Sequence, residues 1–225
     1  MADYTKILNH VAKFEGGLSS DPDDNASAVP SPIKDAKGRP YHTNKGVVWA
    51  TWVNYSKIKG IPVDAQKWFN MTEATWRDIV KTLYWDPYKL TSLNSQGIAE
   101  IIFEAFWGGG GSEMARDVQR KLRDLGYNVA VDGKIGAQTI GALNQAIKKP
   151  GAEKMFIEYM TSERLKYLQG LSDWGKYGKG WTNRVLAAQD RAVSFITKNT
   201  GTLTGILILG AVSILAYKSL VNSSN

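Results

Sequence analysis

The stretch IAEIIFEAF, residues 98–106, is apolar along nearly its whole length and predicts a buried central helix. The run of glycines at 108–111 ends that helix. On both sides of it, apolar residues recur at helical spacing. Further helices are predicted at 4–14, 47–55, 72–84, twice between 114 and 148, at 152–170 and at 182–197. The predicted fold class is therefore mainly α.

Residues 18–42 interrupt the helical pattern. The segment is polar, holds four of the seven prolines and includes the turn-like sequence Asp35-Ala36-Lys37-Gly38. Prolines and turn residues at this density favour irregular backbone over helix. We therefore expect a long loop or a small irregular hairpin lobe beside the helices.

The composition limits the classes of function. The chain has 225 residues and no cysteine, which excludes disulfides and thiolate metal sites. Its two histidines are too few for most multi-histidine metal sites. The net charge of +7 favours anionic partners, namely nucleic acid, anionic lipid or a cell-wall polymer. The basic residues are spread along the chain without a dense run, so we do not expect nucleic-acid binding.

The end of the sequence predicts a transmembrane helix at 198–218. Nineteen residues between Lys198 and Lys218 carry no charge, and as a helix they span about 28 Å, close to the thickness of a bilayer core. The alternative is a buried core helix. The Gly201-x-x-x-Gly205 spacing would allow such helices to pair in a homo-oligomer. The N-terminus carries charges where a secretory signal needs an apolar stretch, so no signal peptide is predicted.

Glu15 is the first candidate for chemistry. It follows Leu8 and Val11 at helical spacing, so it faces the same side as the apolar stripe of the first helix. Apolar surroundings and the negative end of the helix dipole both raise the pKa of a carboxyl group. A carboxylic acid that stays protonated near neutral pH is what a glycosidase needs as its general acid. The alternative is a glutamate that bends out into solvent.

Asp24 is the second candidate, in the sequence Asp21-Pro-Asp-Asp-Asn25. A turn after the first helix would bring this carboxylate opposite Glu15, and two carboxylates in unlike environments can divide acid and base roles. An ordinary solvated turn is the alternative. A calcium loop starting at Asp21 is excluded, because Ala26 and Pro32 stand where glycine and glutamate are required.

Several motifs resemble the glycoside hydrolase 108 muramidases, lysozyme-like enzymes of endolysin and secretion-associated type. KFEGG at 13–17, DPDD at 21–24 and TNKGV at 43–47 resemble the family's first motifs. The sequence YWDP at 84–87, the peptidoglycan-binding-type region at 117–144 and GWTNR at 180–184 resemble its later ones. The resemblance covers residues 5–190. Glu15, Asp24 and Thr43 fall on the family's catalytic positions.

The resemblance implies a lysozyme-like, two-lobed helical fold with a small irregular or β lobe. It assigns residues 1–92 to a catalytic region and residues 93–197 to a helical peptidoglycan-binding-type region that completes the same domain. The membrane helix follows at 198–218 and a short tail at 219–225. One departure stands out. Eighteen residues separate Asp24 from Thr43, where the family has a short Gly-Gly turn.

The implied function is an N-acetylmuramidase that cleaves the bond between N-acetylmuramic acid and N-acetylglucosamine in peptidoglycan. In this interpretation Glu15 donates the proton, Asp24 positions water or stabilises the transition state, and Thr43 holds that water or the substrate. No metal and no cofactor is expected. Four further residues are candidates for substrate binding: Trp49, Trp52, Trp85 and Asn44. For each tryptophan, core packing is the alternative.

Two rival functions remain open. A lytic transglycosylase needs the glutamate but no second carboxylate, and a non-catalytic, membrane-tethered wall-binding or structural protein needs neither. The membrane helix predicts a location at the bacterial inner membrane or in a virion, with action in the periplasm or cell wall. Phage lysis and wall remodelling for secretion are the roles that we expect.

Overall fold

The structure is a computed structural model and describes residues 1–12 and 16–199. The helices are α1 (Thr5–Ala12), α2 (Trp49–Lys59), α3 (Ala65–Phe69), α4 (Glu73–Val80), α5 (Gln96–Trp107), α6 (Gly111–Asp124), α7 (Ala137–Ala146), α8 (Ala152–Gln169) and α9 (Trp174–Asn199). The strands are β1 (Leu18–Ser19), β2 (Thr43–Asn44) and β3 (Val47–Val48). The predicted mainly α, lysozyme-like fold with a small β lobe is confirmed.

Helix α5 is central, as its apolar sequence predicts. Every residue from Gln96 to Ala105 is buried, and α5 packs against α6, α8 and α9. Its first turn is capped by Ser95, whose hydroxyl accepts a hydrogen bond from the amide of Ile98 at 3.0 Å. Gly97 brings α5 close to α9, because a Cβ atom there would lie 2.6 Å from the carbonyl oxygen of Ala192.

Two ion pairs connect α5 with α9 inside the protein. Glu100 Oε2 lies 2.6 Å from Arg191 Nε, and Glu104 Oε2 lies 2.8 Å from Arg184 Nε. The Glu100 side chain is 1% exposed, and burial raises its pKa even though hydrogen bonds from Arg191 and Gln96 oppose that rise. The two carboxylates, 1% and 10% exposed, therefore need their arginine partners in place.

Arg191 and Gln96, which bond to Glu100, also hold α1, the helix that precedes Glu15 in the sequence. Arg191 Nη2 also donates to the carbonyl oxygen of Lys6. At the start of the helix, the amide of Asp3 donates to Gln96 Oε1 at 2.7 Å, and Gln96 Nε2 donates back to the Asp3 carbonyl at 3.1 Å. The apolar stripe of α1, which includes Ile7 and Val11, is fully buried. Helix α1 is therefore held by polar contacts at its start and in its first turn.

The small lobe is a three-stranded antiparallel sheet in the order β1-β2-β3. Ser19 pairs with Thr43, and Thr43 pairs with Val48. Lys45 and Gly46 form the two-residue turn between β2 and β3, with φ of 48° and 73°. Positive φ at both central residues matches the right-handed twist of a hairpin. The sheet places Thr43 on its middle strand.

The 25–42 insertion is organised around the carboxylate of Asp35. Asp35 Oδ2 accepts hydrogen bonds from Ser20 Oγ at 2.7 Å and from Arg39 Nε at 2.8 Å. Asp35 Oδ1 accepts the amides of Lys37 and Arg39 at 2.8 and 2.9 Å. The Ser20 hydroxyl, followed by the Arg39 and Lys37 contacts, holds the pKa of Asp35 well below its usual range. One side chain thus ties the insertion to the end of β1.

Two predicted helix boundaries need correction, and one helix was not predicted. Val47 and Val48 were expected to start a helix, but they form β3, and α2 begins only at Trp49. The last helix was expected at 182, but α9 begins at Trp174 and includes the glycine-rich stretch before it. Helix α3 was not predicted. The β-branched side chains of Val47 and Val48 favour a strand, and Asp64 caps α3 by accepting the amides of Gln66 and Lys67. Only α9 forms against local propensity, because it packs against α5 and α8 despite its glycines.

Within the described ranges, no helix is both long enough and apolar enough to cross a bilayer. The predicted span at 198–218 lies almost wholly outside those ranges, because the description ends at residue 199.

Replacing Arg191 with methionine should destabilise the protein by about 3 kcal/mol at neutral pH, because the Glu100 carboxylate would remain buried without its cation. Since burial raises the pKa of Glu100 in the folded state, this loss should shrink as the pH falls toward about 4.3, where a glutamate ordinarily takes up its proton. Denaturant unfolding as a function of pH measures both effects.

The matched control is Arg77→Met, which removes a partner of Glu73 in an ion pair with side chains 45% and 55% exposed. That change should cost at most about 1 kcal/mol, with little dependence on pH. Equal losses in the two variants would contradict the role given to the Glu100–Arg191 pair.

Candidate active site

Glu15, the predicted general acid, lies outside the described residues, as do Lys13 and Phe14. Its position in the sequence is nevertheless informative. It follows α1 by three residues and precedes Gly16 and β1. The segment that carries Glu15 is thus bounded by the helix held through Arg191 and by the sheet that holds Thr43. The catalytic role of Glu15 stays a prediction.

Asp24 begins a short 3-10 turn at Asn25–Ala28. Its Oδ1 atom accepts the amide of Ala26 at 2.9 Å, and its own amide donates to the carbonyl oxygen of Asp21 at 3.2 Å. This is the turn chemistry that the local sequence favours. The side chain remains half-buried, so capping of the turn orients the carboxylate without enclosing it.

Thr43 and the Asp24 turn are joined through His42. Thr43 Oγ1 lies 2.9 Å from His42 Nδ1, and His42 Nε2 lies 3.0 Å from the carbonyl oxygen of Asp21. The imidazole is 1% exposed. In the sequence, His42 is notable only as one of two histidines, and its position next to Thr43 is the one signal that could have identified it. The structure therefore connects two of the three predicted catalytic residues, because hydrogen bonds run from Thr43 through His42 to the backbone turn that carries Asp24.

Asn44 is the next residue of β2 and points into the protein, with 4% of its surface exposed. Its amide nitrogen donates to the carbonyl oxygens of Trp68 and Phe69 at 2.7 and 3.0 Å. These bonds tie the sheet to the end of α3. The side-chain amide predicted to bind substrate thus has a structural function here.

The three predicted sugar-binding tryptophans differ in burial. Trp52 and Trp85 are 1% and 0% exposed, and Trp85 also packs against Tyr4 and Phe103. Trp52 and Trp85 therefore pack in the core and do not bind substrate, because neither ring has a face open to a sugar. Trp49 is half-buried, with its ring edge against Trp68 at a centroid distance of 5.5 Å. Of the three, only Trp49 is open to solvent.

A different aromatic cluster lies at the start of α9. Trp174, Tyr177 and Trp181, here called the aromatic shelf, are each half-buried. The Trp181 ring lies 6.3 Å from that of Trp174 and 5.8 Å from that of Tyr177. Gly178 allows the Trp174 ring to lie against the helix, because a Cβ atom at this position would come within 2.6 Å of it. The sequence prediction missed the shelf because the surrounding glycines suggested irregular structure.

The shelf lies within electrostatic reach of the loop that carries Asp24. Lys176 projects from the same helix turn, with its ammonium group 4.9 Å from the centre of the Tyr177 ring. The pKa of Lys176 is raised, first by its hydrogen bond with Tyr177 and further by the negative charges of Asp21 and Asp23. Lys176, on the helix that carries the shelf, is therefore close enough to Asp21 and Asp23 of the small lobe to interact with their charges.

Next to the shelf, Trp181 lines a small cavity of about 90 Å³ between α5, α8 and α9. Its charged lining is Glu104, Arg164 and Arg184. Arg164 donates to the carbonyl oxygens of Gly108 and Gly109, and burial lowers its pKa to about 10. Among the described residues, no group of three or more histidines and carboxylates gathers as a metal site.

Comparisons with known proteins agree with this arrangement. Residues 8–110 match the family model described as glycosyl hydrolase 108, and residues 114–186 match the model described as predicted peptidoglycan domain. The chain is similar to a solved structure of SagA from Brucella abortus, with 26% identity and a TM-score of 0.64. The similarity covers 85% of this chain and 94% of that one. The search of curated proteins gave no match.

The lysozyme-like fold, the match of residues 8–110 to the glycosyl hydrolase 108 model and the match of residues 114–186 to the peptidoglycan model thus agree, and they support a glycoside hydrolase that acts on peptidoglycan.

Proposed function

We propose that the protein is an N-acetylmuramidase that hydrolyses the β-1,4 bond between N-acetylmuramic acid and N-acetylglucosamine. The observation that carries this proposal is the connection of Asp24 and Thr43 through His42, on the small lobe that follows Glu15. A carboxylate beside a hydroxyl can orient a water molecule or stabilise a sugar cation. A lytic transglycosylase needs no such second carboxylate, so this arrangement favours hydrolysis.

In the proposed reaction, Glu15 protonates the glycosidic oxygen as the bond to the anomeric carbon breaks. Asp24 accepts a proton from the attacking water or stabilises the oxocarbenium-like transition state, while Thr43 holds the water or the sugar. The aromatic shelf binds the glycan by stacking against sugar rings, since ring faces suit the apolar faces of pyranoses. We also propose that residues 1–92 and 93–197 form one domain, because Arg191 of α9 bonds to α1.

We further propose that residues 198–218 anchor the enzyme at the bacterial inner membrane, where it acts on the wall in phage lysis or in remodelling for secretion. The support is the uncharged run between Lys198 and Lys218. Pairing of these helices through Gly201 and Gly205 would make a homo-oligomer.

The cleavage chemistry is tested by mass spectrometry of products from purified peptidoglycan. The intact chain should release reducing N-acetylmuramic acid ends. Glu15→Gln should lower the rate by about a hundredfold or more, the usual contribution of a general acid, and Asp24→Asn should lower hydrolysis to a similar extent. Asp124→Asn, at an exposed position on α6, is the matched control and should leave the rate unchanged.

Anhydro-muramic ends that persist in Asp24→Asn would identify a transglycosylase instead. A chain that folds and binds the wall but releases no product would support the non-catalytic alternative.

Binding by the aromatic shelf is tested in the Glu15→Gln background, so that glycan is bound but not cleaved. Trp174→Ala should weaken binding of soluble glycan strands by about five- to tenfold, equivalent to roughly 1 kcal/mol for one stacked ring. Trp174→Phe keeps a ring over Gly178 and should retain most of the affinity. If the alanine and phenylalanine variants bind equally, the shelf does not contact the glycan.

The membrane anchor is tested by fractionating cells that produce either the whole chain or a chain ending at residue 197. The whole chain should sediment with membranes and resist extraction by high salt, because an apolar span is held by burial in lipid and not by charge. The shortened chain should be soluble. Whole chain found only in the soluble fraction would argue against an anchor at 198–218.

A further inference from the structure

His42 occupies a fixed position beneath the candidate site. Its amide donates to the Ser19 carbonyl at 3.0 Å, and its carbonyl accepts the amide of Trp49 at 2.9 Å. The side chain is 1% exposed and has two close polar neighbours, the Asp21 carbonyl oxygen on the Nε2 side and Thr43 Oγ1 on the Nδ1 side. Ser19 Oγ lies farther from Nε2, at 3.5 Å.

These neighbours determine which nitrogen carries the proton in the neutral imidazole. A carbonyl oxygen can only accept, so the 3.0 Å contact with Asp21 requires a proton on Nε2. Nδ1 is then unprotonated and can only accept. The Thr43 hydroxyl, 2.9 Å away, must therefore donate its hydrogen to Nδ1.

We propose that His42 is a positioning residue that turns the Thr43 hydroxyl hydrogen away from the glycan and leaves Oγ1 as a hydrogen-bond acceptor toward the substrate; this inference rests on the proposed function. A hydroxyl has one hydrogen to donate and two lone pairs that accept. With its hydrogen held by His42, Thr43 selects a donor on the substrate side, either the attacking water or a sugar hydroxyl.

The same imidazole also couples Thr43 to Asp24. The Asp21 carbonyl oxygen accepts from His42 Nε2 at 3.0 Å and from the Asp24 amide at 3.2 Å. A continuous hydrogen-bond path thus runs from the Thr43 hydroxyl, through the ring and one carbonyl, to the backbone of Asp24.

The tautomer is measured directly by nitrogen-15 NMR of the full chain, labelled at histidine and held in mild detergent. The His10→Gln change leaves His42 as the one labelled side chain. We expect the signature of a neutral ring with its hydrogen on Nε2 and a bare Nδ1 that accepts a hydrogen bond. A hydrogen on Nδ1, in the other tautomer or in the imidazolium, would overturn the inference whether or not the enzyme is active.

Two substitutions separate positioning from a purely structural role. His42→Asn places an amide oxygen where Nδ1 was, so it keeps the acceptor for Thr43. His42→Gln places an amide nitrogen where Nε2 was, so it keeps the donor to Asp21 and loses that acceptor. Each variant loses one hydrogen bond of the ring, so thermal unfolding should change by similar amounts in both.

On soluble glycan strands, His42→Gln should lower kcat about tenfold and His42→Asn less than about threefold, with KM little changed, since one misdirected hydrogen bond has effects of this size. In a Thr43→Val background the glutamine change should cause no further loss, because coupled residues are not additive. Equal losses of kcat in the asparagine and glutamine variants would overturn the inference.

These outcomes distinguish failure of the inference from failure of the proposed function. If the unaltered chain releases no reducing ends, the muramidase proposal fails, and the NMR result still decides how the Thr43 hydroxyl is oriented. If the chain is active but both His42 variants match it, the proposed function stands and His42 has no positioning role.

Discussion

The buried contact between Glu100 and Arg191 joins three helices that are far apart in the sequence. Glu100 lies on the central helix α5 and Arg191 on α9, and the second arm of the guanidinium reaches the Lys6 carbonyl on α1. A carboxylate with 1% of its surface exposed needs this cation, because an unpaired charge at such a depth is strongly unfavourable. The orientation of α1 therefore depends on a residue 185 positions away from Lys6.

Helix α9 has two functions along its length. Its middle is small and apolar, so that Ala188 and Ala192 pack tightly against α5 and Gly97 can meet the Ala192 backbone. Its first two turns carry the same stripe onward as large aromatic rings that remain half-buried. Between these parts, Arg184 forms the second ion pair at the edge of the cavity. Packing of the core and exposure of the shelf thus follow from one change in side-chain size along one face.

The spacing of apolar residues along the sequence correctly predicted the helices that bury a continuous face. The apolar run 98–106 could only be a core helix, and α5 includes it entirely. The same reasoning failed for the shelf, since three glycines between Trp174 and Trp181 disfavour a helix that packing against α8 nevertheless stabilises. It also could not rank the tryptophans, because an indole ring that fills the core and one that faces a sugar have identical sequence signals.

The candidate site, too, could be predicted from the sequence only in part. The motifs identified Asp24 and Thr43 as candidates. No local pattern indicated that His42 bonds to both the Thr43 hydroxyl and the Asp21 carbonyl, because contacts across a turn do not recur at regular spacing in the sequence. The substrate contact expected of Asn44 rested on its place in a motif, whereas its amide is fixed by carbonyls at the end of α3. Side-chain roles in an irregular lobe depend on backbone positions that sequence spacing does not determine.

The long connection between Asp24 and Thr43 is compatible with a working site for a physical reason. The entropic cost of closing a loop rises only slowly with its length. Eighteen residues in place of the family's short turn therefore add little to the free energy of folding. What must be preserved is the geometry at the two ends. The Ser19–Thr43 pairing fixes one end, His42 fixes the other against Asp21, and Asp35 organises the residues between them. The insertion can therefore enlarge the small lobe while the two catalytic candidates keep their relative positions.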